Sequence, residues 1–226
     1  MTQSKTSPTW LDLYDYRRRV AALYQRRQVQ ETMGDDPAAI WTNWRKERDR
    51  LFKEHPQSAF SAEVRATFTG LRYFPYAPSL RIEATLIADP TLETQELPNS
   101  GPRPVLYPRA GTISFAINGA PFSLTVYWID VYGGGLFLPF RDATSGTETY
   151  GAGRYLFDTV KGSDFLRRDA DADVALGYAG GRVLLDFNYA YNPSCAYDGR
   201  WVCPLAPREN VLAMSIRAGE RSYQEA

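Results

Sequence analysis

The residues able to do chemistry crowd into two stretches. One is FRDATSGTETYGAGRY, positions 140–155, with Asp142, Thr144, Glu148, Tyr150 and Arg154 within a few residues of one another. Acids, hydroxyls and one arginine at this spacing can line a pocket for a polar ligand, with Arg154 as a bidentate clamp for carboxylate or phosphate. They can equally form a self-satisfied network, with Asp142 accepting bonds from turn N–H groups and Arg154 paired to an acid, and that reading weighs somewhat more. The other stretch is DFNYAYNPSCAYDGRWVCPLAPREN, positions 186–210, with Asp186, Asn188, both cysteines and Glu209.

The cysteines do not read as a metal knuckle. Seven residues separate Cys195 from Cys203, and the chain has one histidine, His55, far away in sequence. A hard cation on Asp142, Asp186, Asn188 and Glu209 is chemically feasible, but no calcium-loop spacing supports it, so no metal and no cofactor is expected. A disulfide here closes a small loop worth roughly 2–3 kcal/mol. The N-terminal MTQSKTSPTW lacks an apolar stretch, which predicts no secretory signal, a cytoplasmic protein and reduced thiols. Pro193, Pro204 and Pro207 forbid a continuous ladder, so residues 192–208 are expected as a stiff connection across one end of the β structure.

The elements that position these residues follow from periodicity. Leu13, Tyr16, Val20, Leu23 and Tyr24 recur at helical steps, with Arg17, Arg18, Arg19, Arg26 and Arg27 on the other faces. Asp36-Pro37 starts a second helix carrying Ile40, Trp41, Trp44, Leu51 and Phe52, which stops near His55-Pro56. After residue 60 the period becomes two. Leu80, Ile82, Ala84 and Leu86 alternate with polar residues, as do Ile113, Phe115 and Ile117; 122–131, 135–140, 182–191 and 211–217 also read as strands, and Asn118-Gly119 as a hairpin turn. Parity in 182–191 puts Leu184, Asp186, Asn188 and Ala190 on a face suited to a polar cavity. The fold expected is mainly β with an α+β arrangement: an antiparallel β-barrel or sandwich with an N-terminal helical hairpin. It forms a single domain over 1–226, with a helical appendage at 10–54 and the β core at 60–220.

The ordered motifs DxTSGxETYxxGR from Asp142, DFNYAYNPxCAY from Asp186 and CPLxPxEN from Cys203, followed by Ala218-Gly219-Glu220, resemble a bacterial and archaeal family of unknown function. The resemblance spans about Arg17 to Glu220 and implies a shared fold, though the stretch from Phe60 to Leu71 is too short for the extra N-terminal strands of longer members. It implies no activity.

Composition narrows the partners. With 26 basic and 26 acidic residues among 226, nothing pulls the chain toward nucleic acid, and no stretch of 18 apolar residues suggests a membrane span. An interaction surface on the Arg17–Arg19 helix face has the least support. The reading that remains is a soluble protein binding a small polar or anionic molecule in a cavity of the β core, through Asp142, Thr144, Glu148, Tyr150, Arg154, Asp186, Asn188 and Glu209. Its rival is a hydrolase with Asp142 and Asp186 as acid and base.

Overall fold

A computed structural model describes residues 8–91, 93–103, 105–164, 166–167 and 181–223. Helix α1 (Trp10–Met33) starts at a reciprocal cap: Asp12 N donates to Thr9 Oγ1, and Thr9 N donates to the Asp12 carboxylate. It stops at Gly34, whose positive φ of 83° ends the helix without a Cβ penalty. Helix α2 (Pro37–Glu54) is capped by Asp36, which accepts from Ala38 N and Ala39 N. A third helix, α3 (Ala62–Thr67), was not legible as a period and lies where strands were expected to begin. Its single turn and a half is too short to print one.

The strands are β1 (Arg81–Ala88), β2 (Thr94–Leu97), β3 (Val105–Ile117), β4 (Ala120–Ile129), β5 (Gly135–Phe140), β6 (Arg154–Asp158), β7 (Leu166–Arg167) and β8 (Gly181–Asp186). They pair antiparallel in the order β6-β5-β4-β3-β1-β8-β7, with β2 added beside β3. The sheet curls into a half-barrel with two helices leading it, so the expected mainly β fold, an antiparallel barrel-like sheet with an N-terminal helical hairpin, is what the chain forms. Asn118 and Gly119, both at positive φ, make the β3–β4 hairpin turn, as their types predict.

One expected strand is cut short and another is not a strand. The run from 182 ends at Asp186, because the Asp186 carboxylate accepts Asn188 N and folds the chain into a 3-10 turn at Phe187–Tyr189. Parity therefore stops at Asp186, and Asn188 is fully buried. Residues 211–217 make only one isolated bridge, Arg141 with Val211. They are held by two backbone hydrogen bonds, Leu212 N to Arg141 O and Ala143 N to Met214 O, and by side chains described below.

The main core gathers Ile113, Leu124, Val126, Leu138, Phe140, Leu185, Phe187 and Ile216. Every residue of β6 is buried, and β5 hides Phe137 on one face while Leu138 and Phe140 fill the other. That double burial is why GLFLPF reads as an unbroken apolar run. A register shift at Leu138/Pro139 accommodates the proline. Past the chain's 3-10 turn, Tyr155 and Tyr191 exchange backbone hydrogen bonds of 2.8 and 3.0 Å, tying edge strand β6 to the segment beyond β8.

The helices have no core of their own. Trp44 meets the Tyr189 ring edge-on at 4.8 Å, and Trp41 Nε1 donates to Asn188 O at 2.8 Å. Both tryptophans are thus seated on the turn that ends β8. Among the described residues no helix is long and apolar enough to cross a membrane.

The C-terminal segment approaches that same turn so closely that Gly219, at φ 75°, leaves no room for a Cβ. One placed there would lie 2.6 Å from Ala190 O and 2.7 Å from Phe187 O. Gly219→Ala is expected to cost about 2–4 kcal/mol and on the order of 10 °C in Tm. Gly34→Ala has open space and only the φ penalty, about 1–2 kcal/mol. Thermal melts of the two variants check this, and equal losses would show that crowding at Ala190 contributes nothing.

Candidate functional site

Asp142 follows β5, and Arg154 opens β6, which pairs with β5 at Phe140. That pairing brings the two together: Arg154 Nη2 donates to Asp142 Oδ1 at 3.2 Å, with both side chains essentially fully buried. Asp142 Oδ2 accepts Thr144 N, Thr144 Oγ1 at 2.8 Å and Ile216 N at 2.7 Å. Arg154 also donates to three carbonyls, Ile216 O at 2.9 Å, Glu220 O at 3.2 Å and Ala218 O. Burial pushes the Arg154 guanidinium down, and the Asp142 carboxylate opposes that shift. This network fastens 216–220, whose bridging is limited to Glu220 with Tyr73, onto the sheet.

Asp186 and Asn188 form a second network. Asp186 Oδ1 accepts Asn188 N and Nδ2, and Oδ2 accepts Arg27 Nη2 at 3.1 Å with Arg81 Nε 3.6 Å away. Asn188 completes its amide against the backbone of Ala77, accepting from N at 2.8 Å and donating to O at 3.0 Å. Arg27 was expected among the arginines on the helix faces away from the apolar stripe. It is 3% exposed and stacks 3.6 Å above the Tyr189 ring. Helical periodicity marks a face as polar, but only the docked sheet determines that this polar group is covered.

The other expected site residues keep separate company. Glu148 pairs with Arg217 at 2.9 Å at the surface, Tyr150 OH lies 3.7 Å from Cys195 Sγ, and Glu209 accepts Tyr127 OH at 2.6 Å. Asn210 substitutes for a strand: its side chain accepts Thr125 N and donates to Thr125 O and Pro139 O, all within 2.8 Å. His55 ends α2 with Nδ1 accepting Gln57 N and Nε2 beside Asp15.

A concavity of about 210 Å³ lies elsewhere, where α1 and α2 face β6 and the 191–203 segment, and none of the eight expected residues lines it. Its walls are chiefly Val20, Tyr24, Trp44, Leu51, Tyr155 and Tyr197. Burial holds the Tyr24 and Tyr191 phenols well above their ordinary range, so they act as neutral hydrogen-bonding groups.

The polar end of this concavity is built by the turn after β6. Ser163 Oγ sits 2.7 Å from Tyr191 OH and accepts Asp158 N. Lys161 Nζ lies 3.3 Å from Asp158 Oδ2 while its side chain stays 45% exposed. Burial opposes the Lys161 charge, but Asp158, Cys203 and Tyr16 together more than offset it and keep its pKa above the usual lysine range. Arg48 lines another wall and is already committed to Glu220 at 2.8 Å and Tyr73 OH at 3.1 Å. Glu220 in turn accepts Tyr197 OH and the Asn192 amides.

Sequence reasoning missed Lys161, Ser163, Tyr191 and Arg48. No spacing links them, because the cavity arises only when the helices dock. The one available signal was Glu220, conspicuous as an acid in an otherwise small-residue motif. Among the described residues no group of three or more His, Cys, Asp or Glu is placed to hold a metal ion.

Removing one partner from a buried ion pair leaves the other charge uncompensated. Asp142→Asn and Asp186→Asn are therefore expected to cost about 3 kcal/mol or more each. Glu148→Gln, at an exposed pair, is expected to change stability by under ~1 kcal/mol. Chemical denaturation of the three variants tests the ranking, which fails if Glu148→Gln proves as damaging as the other two.

Residues 66–221 match a family model described as a protein of unknown function, DUF1684. The chain is also similar to an uncharacterized protein of Haloarcula marismortui solved by solution NMR, at 36% identity, covering 85% of this chain and 97% of that one with a TM-score of 0.57. The expected kinship with an uncharacterised family that has archaeal members is thus met. No curated protein matches significantly.

Proposed function

The chain belongs to the DUF1684 family of proteins of unknown function, and on that premise we propose that it binds a small molecule with an apolar body and an anionic group. The observation that carries this reading is the aromatic concavity with a half-exposed lysine at its polar end. An apolar, concave wall with a few convergent polar groups is the usual form of a small-molecule site. At about 210 Å³ it is smaller than the roughly 300–1,000 Å³ of drug-sized sites, which suits an aryl or short acyl compound. Lys161 meets the anion, Ser163 and Tyr191 supply hydroxyls beside it, and the α1–α2 aromatics cover the body.

In this reading the networks around Asp142 and Asp186 support the site from behind. Their carboxylates spend their hydrogen-bonding capacity on arginines and backbone N–H groups. For the same reason a hydrolase with Asp142 and Asp186 as acid and base finds less support, since each carboxylate is held by its own arginine.

Titration of the full chain with phenylacetate and hexanoate, and with their neutral amides, followed by calorimetry or NMR, tests the proposal. The acids are expected to bind at least several-fold more tightly than the amides. Lys161→Gln should weaken the acids about tenfold, the loss of ~1.4 kcal/mol reasonable for one charge-assisted contact, and leave the amides unchanged. Val20→Trp should fill the concavity and remove binding of both. Failure of every acid to bind, or unchanged affinity in Val20→Trp, would overturn the proposal.

A further inference from the structure

The 192–208 connection, whose Cys203 also lines the concavity, brings the chain's two cysteines together. Its prolines and a 3-10 turn at Ser194–Ala196 fold it back on itself, so that Cys195 N donates to Cys203 Sγ at 3.3 Å. Residues eight apart in sequence thus put their thiols in contact. Their surroundings differ. Cys203 is 2% exposed and clamped from both sides, its N donating to Ser100 Oγ at 2.9 Å and its O accepting Ser100 N at 3.0 Å. Cys195 is only partly buried, with Tyr150 OH 3.7 Å from its sulfur.

We propose that Cys195 and Cys203 are a redox-active dithiol that closes a reversible disulfide by exchange with low-molecular-weight disulfides, Cys195 attacking and Cys203 resolving. Access assigns the roles, because an incoming disulfide reaches Cys195 and not the enclosed Cys203. The hydrogen bond from Cys203, and then that from Tyr150, hold the Cys195 thiol below the ordinary thiol range against the effect of burial. The same contact pushes the Cys203 thiol up. Thiolate is the attacking form, so the more acidic and more open cysteine reacts first.

The chemistry balances in two exchanges. The Cys195 thiolate attacks one sulfur of the small disulfide; a mixed disulfide forms, the small S–S bond breaks, and one thiolate leaves and is protonated by water. Cys203 then loses its proton to solvent and attacks the Cys195 sulfur, and the second small thiolate departs. The protein dithiol is oxidised by two electrons and the small disulfide is reduced to two thiols. The sulfurs need close only from contact to the bonded distance of about 2.05 Å. Because the connection is already stapled to Ser100, this requires side-chain rotation at Cys195 and no new backbone path.

The test exposes the native full chain at neutral pH to oxidised glutathione, with acid quenching and intact-mass and non-reducing peptide analysis. The wild type is expected to lose both free thiols without retaining an adduct and to recover them with dithiothreitol. Cys203→Ala should accumulate a stable glutathione adduct on Cys195, and Cys195→Ala should react at least tenfold more slowly. Unfolding in urea should erase that difference between the single variants. In the folded wild type, iodoacetamide labelling of Cys195 should rise with pH at a midpoint below that of an ordinary thiol, and Cys203→Ala should move the midpoint upward. A folded wild type that keeps both thiols or stops at the adduct, equal rates in the two variants, or an unmoved midpoint would overturn the proposal. None of these readouts depends on whether the concavity binds an acid.

Discussion

The buried guanidinium of Arg154 is the constraint from which the rest of the arrangement follows. A charge taken out of water costs several kcal/mol unless it is paired and its N–H groups are satisfied. Here one carboxylate and three carbonyls meet it, and those carbonyls all belong to 216–220. A segment with no strand of its own is thereby ordered against the sheet. Asp142 does the complementary work on the same segment by accepting Ile216 N. Once 216–220 is held, Gly219 is pressed against Phe187 and Ala190, and Glu220 is delivered to Arg48, Tyr197 and Asn192.

The concavity is a consequence of how that scaffold receives the helices. Trp41 and Trp44 pack on the Asn188–Tyr189 turn, and Arg27 and Arg48 descend from α1 and α2 to meet buried acids. The helices are therefore located by polar contacts that include Asp186, Asn188 O and Glu220, with aromatic packing between. Side chains of this size do not close every gap near the start of α1, and the space left over is lined by their rings. The turn after β6 then brings Lys161 and Ser163 to its edge.

Such buried ion pairs confer little net stability compared with apolar packing of the same volume, but they punish misplacement heavily. An α1 rotated by one residue would strand Arg27 and Asp186 together. The networks thus define which helix orientation is tolerated, and with it the shape of the cavity.

The sequence by itself determined the elements whose information is local. Thr9 and Asp36 cap helices because their side chains reach N–H groups two and three residues away, Asn118-Gly119 turns because both residues tolerate positive φ, and alternation along β1 and β3 survives because one face of each strand is buried. It also singled out Asp142, Arg154, Asp186 and Asn188 as residues hard to explain on a surface, and all four are buried. Tertiary structure alone decided what they are for. The 182–191 run lost its strand character at Asp186 because a side chain out-competed the ladder for Asn188 N, and in 211–217 Arg154 took Ile216 O and Asp142 took Ile216 N, groups a neighbouring strand would have used. Whether the sheet curls to a half-barrel, and that Lys161, Ser163 and Tyr191 share one concavity with α1 and α2, depends on contacts between residues more than a hundred positions apart. No spacing rule encodes such contacts, because their energy exists only once both surfaces have formed.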